Sequence, residues 1–174
     1  MKKIFVTGIA GTGKSTIANE LRNKGMQVID LDHVPGLCSW VNLKTNEKID
    51  ISNASNPNND FIDQHDYKCD IGVLKGMLNQ LDDTVVVFGS VGDNSELLPL
   101  FDKTFLLQCS PKVLIERLKT RNTNNFGKDQ AVQQRMLDWS KIFDKLMLTA
   151  GAISINTDVP LKTVVSKLVD KIDN

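Results

Sequence analysis

The chain has 174 residues, 41% of them hydrophobic and 24% charged, a balance typical of one globular domain with its own core. Its 21 Lys and Arg residues equal its 21 Asp and Glu residues, so the formal net charge is zero. Because there is no basic excess, we do not expect a protein that binds nucleic acid by neutralising phosphates.

The cysteines and the N-terminal segment indicate a reducing compartment. Cys38, Cys69 and Cys109 are widely spaced and form no CxxC or Cys/His cluster, so neither a disulfide framework nor a structural zinc site is predicted. Free thiols favour a cytoplasmic setting. No signal-peptide core forms at the N-terminus, and no run approaches the ~18 apolar residues of a membrane span. We expect a cytoplasmic monomer or homodimer with no membrane partner.

Short β-branched runs alternate with longer helical patterns along the chain. The predicted strands cover residues 3–7, 27–31, 84–88, 104–107 and 152–155. The predicted helices cover residues 14–24 and 130–150, with others beginning at Ser110-Pro111 and at Thr157 or Asp158. This alternation predicts an α/β fold with three α/β/α layers around a five-stranded parallel sheet.

Two polar segments interrupt the alternation. Residues 42–68 are rich in Asn, Asp, Ser and Lys, and residues 121–129 (RNTNNFGKD) separate two predicted helices. Long polar insertions in compact α/β domains are usually functional. We therefore predict a single domain over residues 1–174, with a flap at 33–83 and a lid at 121–129.

The strongest motif follows the first predicted strand. Residues 8–15 (GIAGTGKS) fit the phosphate-loop pattern GxxxxGK[ST] at every fixed position. In this pattern backbone N–H groups surround phosphate oxygens, Lys14 reaches the β- and γ-phosphates, and the Ser15 hydroxyl binds Mg²⁺. The residues predicted to bind ATP here are Gly8, Gly11, Thr12, Gly13, Lys14, Ser15 and Thr16.

The other strand ends decide the type of phosphate-loop protein. The strand at 84–88 is followed by Gly89-Ser90, without the acid through which GTPases and mechanical ATPases hold Mg²⁺, and no TKxD or NKxD tetrapeptide occurs. The second strand instead ends Asp30-Leu31-Asp32. Carboxyl ends of parallel strands face the ligand crevice, so both acids are expected to face the phosphate loop, unless they only cap a turn.

This layout resembles the P-loop small-molecule kinases of the adenylate, shikimate and gluconate kinase superfamily. The segment 123–128 (TNNFGK) is also similar to the lid of uncharacterised small kinase-like ATP-binding proteins. The resemblance implies a P-loop nucleoside-triphosphate hydrolase fold of the nucleoside monophosphate kinase type. It further implies that Asp32 orients or deprotonates the acceptor hydroxyl, and that Asp30 supports Mg²⁺ through water.

The same resemblance gives roles to three arginines and a threonine. Arg117 and Arg121 stand where the family carries arginines at the lid entry, one packing on adenine and one contacting the transferring phosphates, with Lys128 able to assist. Arg135 resembles an arginine that contacts substrate. Thr157 would line the adenine pocket. The alternatives are solvated helix arginines and a threonine that only caps the last helix.

The composition of the predicted flap bears on the charge of the acceptor. Residues 33–83 contain no arginine, which argues against the usual clamp for an acceptor phosphate, although Lys44, Lys48, Lys68 or Arg135 could substitute. The flap does contain rings that could stack on a base or sugar, or only pack locally: His33, Trp40, Phe61, His65 and Tyr67. Of these, Trp40 is the best candidate for a functional residue.

The loop at residues 89–94 allows two interpretations. Its polar side chains could hydrogen-bond a substrate, or the loop could be a turn that caps the next helix through Ser95. The side chains concerned are Ser90, Asp93 and Asn94.

Two function classes remain open on this sequence. The first is an ATP- and Mg²⁺-dependent kinase of a small metabolite, with a nucleoside or nucleotide favoured as acceptor and a shikimate- or gluconate-type hydroxy acid second. The other is a nucleotide-responsive binding module with weak ATPase activity, favoured by the missing acid after the central strand. A nucleic-acid end kinase is a weaker third option, because the chain is neutral.

Overall fold

The computed structural model describes residues 1–49, 57–121 and 126–174. In chain order the elements are β1 (Lys3–Thr7), α1 (Lys14–Asn23), β2 (Gln27–Asp30), β3 (Cys38–Asn42), β4 (Lys48–Ile49), α2 (Asn59–Gln64), β5 (His65–Cys69), α3 (Ile71–Asn79), β6 (Val85–Phe88), β7 (Lys103–Gln108), α4 (Pro111–Thr120), α5 (Gln130–Thr149), β8 (Ile153–Asn156) and α6 (Leu161–Asp173). Short 3₁₀ turns occupy Leu31–His33 and Leu98–Leu100. No helix in the described ranges is long and apolar enough to cross a membrane.

The main sheet has five strands in the order β2-β6-β1-β7-β8, and all its pairings are parallel. Alternate side chains of β1 point to opposite faces, as the period of a strand requires. Ile4 and Val6 pack in the layer that contains α1 and α6, whereas Phe5 packs with the layer that contains α3. Helices thus cover both faces, and the predicted three-layer α/β/α fold is confirmed.

Local sequence explains where the long helices begin. The Ser110 hydroxyl accepts a hydrogen bond from Val113 N, and Pro111 occupies the first turn of α4. Asp129 caps α5 through the backbone N–H groups of Ala131 and Val132. The prediction that the last helix begins at Thr157 or Asp158 is wrong. α6 begins at Leu161 after Pro160, so neither Thr157 nor Asp158 is its N-cap.

A second sheet lies within the segment predicted as a flap. It has three antiparallel strands in the order β4-β3-β5, and residues 50–56 of this segment lie outside the described residues. Asp70 N donates to Leu37 O at 2.8 Å, so Cys38 and Cys69 face each other as a pair that shares no ladder hydrogen bonds. In such pairs the side chains approach most closely. The segment also supplies α3, whose Leu74 is fully buried against the main sheet.

Candidate active site

The phosphate loop joins β1 to α1 at the centre of the main sheet. Gly8 has a φ of 154° there, and a Cβ at this position would lie 2.7 Å from the backbone oxygen of Leu107. Gly13 precedes α1 with a φ of 101°, in the left-handed region that favours glycine. Thr12 is buried and its hydroxyl donates to Ile9 O at 2.9 Å. The fixed glycines therefore satisfy requirements of the backbone.

The Lys14 side chain lies inside the phosphate loop and hydrogen-bonds to its backbone. Its Nζ donates to Gly8 O at 2.5 Å and to Ile9 O at 3.1 Å. Burial lowers the pKa of this ammonium, while the negative charges of Asp32 and Asp30 act in the opposite direction. The next residues, Ser15 and Thr16, are exposed in the first turn of α1 and line the same cavity as Lys14.

Asp30 and Asp32 have different surroundings because β2 ends at Asp30. A 3₁₀ turn follows, and the Asp30 Oδ1 accepts a hydrogen bond from Asp32 N at 3.2 Å. The capping alternative thus holds for Asp30, which is buried. Asp32 lines the cavity, and its Oδ1 accepts a hydrogen bond from the Tyr67 hydroxyl at 3.0 Å. Tyr67 belongs to β5, so the second sheet holds the carboxylate that follows β2.

The residues present fit a magnesium ion that shares its coordination with a nucleotide. The Oδ2 of Asp30 is buried and accepts no hydrogen bond from the residues that the structure describes, although His33 Nδ1 lies 3.1 Å away. Ser15 offers a hydroxyl on the cavity wall. Within the described ranges, no three carboxylate, imidazole or thiol groups come together as a metal site. Mg²⁺ commonly uses one or two protein oxygens plus phosphate and water, which this sparse set matches.

Arg117 and Thr157 are bonded to each other. Arg117 donates from Nη1 to the Thr157 hydroxyl at 3.0 Å and from Nη2 to Thr157 O at 2.7 Å. Thr157 is buried, and its N–H also donates to Gln108 O at 2.8 Å. The guanidinium is therefore fixed across the carboxyl ends of β7 and β8. Both residues line the cavity, where the resemblance places the adenine pocket.

Arg121 lies at the C-terminal end of α4, beside the predicted lid. Its Nη2 donates to Phe126 O, and its guanidinium stands 5.6 Å from the Phe126 ring centroid. Its Nε is buried and has no hydrogen-bond partner among the described residues. Burial lowers the pKa of the group. Arg121 lines the cavity, and a guanidinium in that position is suited to phosphate oxygens. Residues 122–125 of the predicted lid lie outside the described residues.

Arg135 connects the main domain to the inserted segment. Its Nη1 lies 2.6 Å from Asp63 Oδ1 and 3.5 Å from Asn59 O, so α5 is joined to α2. Arg135 lines the cavity, but its charge is already paired with that of Asp63.

Four rings of the inserted segment form a cluster. The centroids of Trp40 and Phe61 lie 5.2 Å apart edge to face, and those of Trp40 and Tyr67 lie 5.3 Å apart. Phe61 stacks on His65 at 4.1 Å. Trp40, His65 and Tyr67 line the cavity, so local packing and exposure to a ligand occur together. The cluster gives this part of the cavity an aromatic wall.

The loop after β6 approaches the second sheet closely. Gly92 N donates to Tyr67 O at 2.9 Å, and Asp93 Oδ1 accepts a hydrogen bond from Ser95 N at 2.8 Å. Hydrogen bonds from Ser95 lower the pKa of Asp93. Ser90 and Asp93 line the cavity, whereas Asn94 is buried and donates to Val91 O at 3.2 Å. Ser95 caps no α-helix, since a 3₁₀ turn follows at Leu98–Leu100.

One cavity of about 1210 Å³ is lined by Lys14, Ser15, Asp32, the three predicted arginines and Thr157, together with Trp40, His65 and Tyr67. Pockets for a single drug-sized ligand commonly measure ~300–1,000 Å³, so this cavity has room for a nucleotide and a second small molecule. The phosphate loop, Arg117 and Thr157 lie on one side of it. Asp32 and the aromatic wall lie on the other.

Sequence reasoning missed the partners of the predicted residues. It did not pair Tyr67 with Asp32, Asp63 with Arg135 or Asp66 with Gly92, because each pair joins separate elements. A local signal was present at residues 65–69 (HDYKC), where rings and polar side chains alternate with the period of a strand.

Solved structures share this architecture along nearly the whole chain. Shikimate kinase from Acinetobacter baumannii, in complex with shikimate, is 18% identical with a TM-score of 0.63, over 99% of this chain and 93% of that chain. A sugar kinase from a Janibacter species is 14% identical with a TM-score of 0.58, over 99% and 95%. Deoxyadenosine kinase from M. mycoides with bound dATP is 15% identical with a TM-score of 0.55, over all of both chains.

At these identities the likeness establishes the fold, which is that of the P-loop small-molecule kinases. No curated protein has significant sequence similarity to the chain. A family model described as an AAA domain matches residues 4–138, which include the phosphate loop, Asp32, Arg121 and Arg135. The chain belongs to this AAA domain family.

Proposed function

We propose that this protein is an ATP- and Mg²⁺-dependent phosphotransferase that acts on a small metabolite, a nucleoside or nucleotide. The observation that carries the proposal is the position of Asp32, which lines the same cavity as the phosphate loop and is held there by the Tyr67 hydroxyl at 3.0 Å. A protein that only senses ATP has no acceptor hydroxyl for such a carboxylate to orient or deprotonate.

The donor side would bind ATP through the phosphate loop and the arginines. Lys14 would exchange the carbonyl oxygens of Gly8 and Ile9 for phosphate oxygens. Arg121 would direct its guanidinium towards the same charge, and Arg117 with Thr157 would bound the adenine. Ser15 would hold Mg²⁺ directly and Asp30 would support it through water, and the bound ion would supply charge neutralisation for the phosphates.

The acceptor side would work through Asp32. Tyr67 occupies Oδ1, so Oδ2 would receive the acceptor hydroxyl. The hydroxyl oxygen would form a bond to the γ-phosphorus as the bridging bond to ADP breaks, and its proton would pass to Asp32. Closure of the segments that carry Asp63 and Arg121 would exclude water.

The test is ADP release from MgATP across a panel of nucleosides, nucleoside monophosphates and hydroxy acids. We expect one acceptor class to raise the rate, and Lys14→Ala to lower it by on the order of 10²-fold. Lys24→Ala, which changes an exposed lysine just after α1, is the matched control. Tight ATP binding with no acceptor-dependent rate would contradict the kinase proposal and favour the nucleotide-responsive binding module.

A further inference from the structure

The strand order sorts the charges of the cavity into two groups. Along the carboxyl edge of the main sheet the strands run β2-β6-β1-β7-β8, about 4.8 Å apart. Asp32 follows β2 and Asp93 follows β6, on one side of the phosphate loop. Arg117 and Arg121 come from α4, which follows β7 on the other side. The carboxylates and the guanidiniums are therefore separated by the loop that would hold the phosphates.

The second sheet adds another carboxylate to the acidic side. Asp66 of β5 lines the cavity and lies against Gly92, where a Cβ would fall 1.7 Å from Asp66 Oδ1. Asp66 is thus adjacent to the loop that carries Asp93. We call Asp32, Asp66 and Asp93 the acidic wall.

The cations near the acidic wall offset only part of its charge. The charge of Lys14 interacts with that of Asp32, which opposes the lowering of the Lys14 pKa by burial. Arg135 lines the cavity, but its Nη1 lies 2.6 Å from Asp63 Oδ1. The charge of Lys68 acts on Asp93, yet Lys68 does not line the cavity. Among the described residues, the acceptor side of the cavity therefore carries excess negative charge beside the rings of Trp40 and Tyr67.

We propose that the acceptor carries no negative charge and presents a planar ring to the aromatic wall, which is the chemistry of a nucleoside and not of a nucleoside monophosphate or a hydroxy acid. This inference rests on the proposed function and names its substrate class. A phosphate or carboxylate on the acceptor would face Asp66 and Asp93, and in the described part of the chain the guanidinium on this side, that of Arg135, already pairs with Asp63. Electron-rich side chains and ring faces instead suit a base with N–H donors.

The experiment compares matched acceptors under saturating MgATP. For each nucleoside and its 5′-monophosphate, and for shikimate and gluconate, kcat/KM is measured at low and high salt. We expect the nucleoside to be preferred by at least about tenfold, and the preference to shrink with salt because the repulsion is screened. A monophosphate or hydroxy acid that is used as well as or better than every nucleoside would overturn the inference and leave the kinase intact.

Variants test whether the acidic wall is the cause. Asp66→Asn combined with Asp93→Asn should raise the relative use of the monophosphate by about threefold or more. Asp82→Asn is the control, because this exposed residue precedes β6 at the opposite edge of the sheet. An unchanged ratio in the double variant would refute the role of the wall. If no acceptor at all raises ADP release, the proposed function fails, and this inference fails with it.

Discussion

Removing the Tyr67 hydroxyl tests the contact between the second sheet and the main sheet. Tyr67→Phe keeps the ring 5.3 Å from Trp40 but deletes the hydrogen bond to Asp32 Oδ1 at 3.0 Å. A hydrogen bond to a charged group contributes about 1.5–3 kcal/mol, and partial exposure of this pair places it near the lower end. A loss of about 1–2 kcal/mol of transition-state stabilisation corresponds to a fall in the rate of about 5–30-fold.

The fall should appear in kcat for phosphoryl transfer, while the KM for ATP stays within roughly twofold because the phosphate loop is untouched. Steady-state ADP release with the best acceptor measures both constants. Lys24→Ala, at an exposed residue that does not line the cavity, is the control. If Lys24→Ala lowered kcat as much, or if Tyr67→Phe changed only the KM for ATP, our reasoning on Asp32 would be refuted.

The same contact can be measured without turnover, because Tyr67 is the only tyrosine in the chain. Burial, followed by the charge of Asp32, raises its pKa above the usual ~10, since both disfavour the phenolate. A folded pKa above the unfolded one means that this stabilisation is complete below about pH 10 and is lost as the pH rises further. Ultraviolet titration should show that Tyr67 ionises at a higher pH in the wild type than in Asp32→Asn. Coincident curves would contradict the contact.

Two further predictions concern stability and thiol chemistry. Gly8→Ala should lower the free energy of unfolding by about 1–3 kcal/mol, since its Cβ would meet a backbone oxygen at 2.7 Å. Gly76→Ala, in a helix with open space around it, should raise the free energy of unfolding by about 0.5–1 kcal/mol, and urea unfolding of both variants measures these changes. Oxidised glutathione should join Cys38 to Cys69, because the two face each other and a hydrogen bond from Cys38 lowers the pKa of the Cys69 thiol. Thiol counting and mass should then show two thiols lost and two glutathiones released, with Cys69→Ser blocking the loss and Cys109→Ser leaving it unchanged.

The sequence was most informative where a pattern is local. The phosphate loop and the buried run at β6 identify themselves by residue type, and Ser110-Pro111 marks the start of α4. The predicted ends of the main-sheet strands differ from the observed ends by at most one residue, as expected where the backbone leaves the sheet. Each of these features depends on residues that are neighbours in the chain, so local sequence patterns are enough to predict them.

The inserted segment was least predictable because its structure depends on distant contacts. β3 and β5 are separated by more than twenty residues of polar sequence, and their antiparallel pairing joins Trp40 to Tyr67. The sequence allows Thr157 either to cap the last helix or to line the adenine pocket, and only the fold shows that Arg117 donates a hydrogen bond to it. Pairings of this kind carry no periodic signal, so they could not be derived from one sequence.

The order of the strands also separates the chain into segments that form the acceptor side of the cavity and segments that form the donor side. The acceptor side of the cavity is supplied by one continuous stretch of chain, from Asp32 to Asp93, whereas the donor side comes from the segments around Lys14 and Thr157. A chimera that exchanges this stretch with that of a related kinase would replace the acceptor pocket while keeping the nucleotide pocket. Its two junctions would fall just after β2 and just after Asp93, and Arg135, outside the stretch, would need to be adjusted because its partner Asp63 would be exchanged.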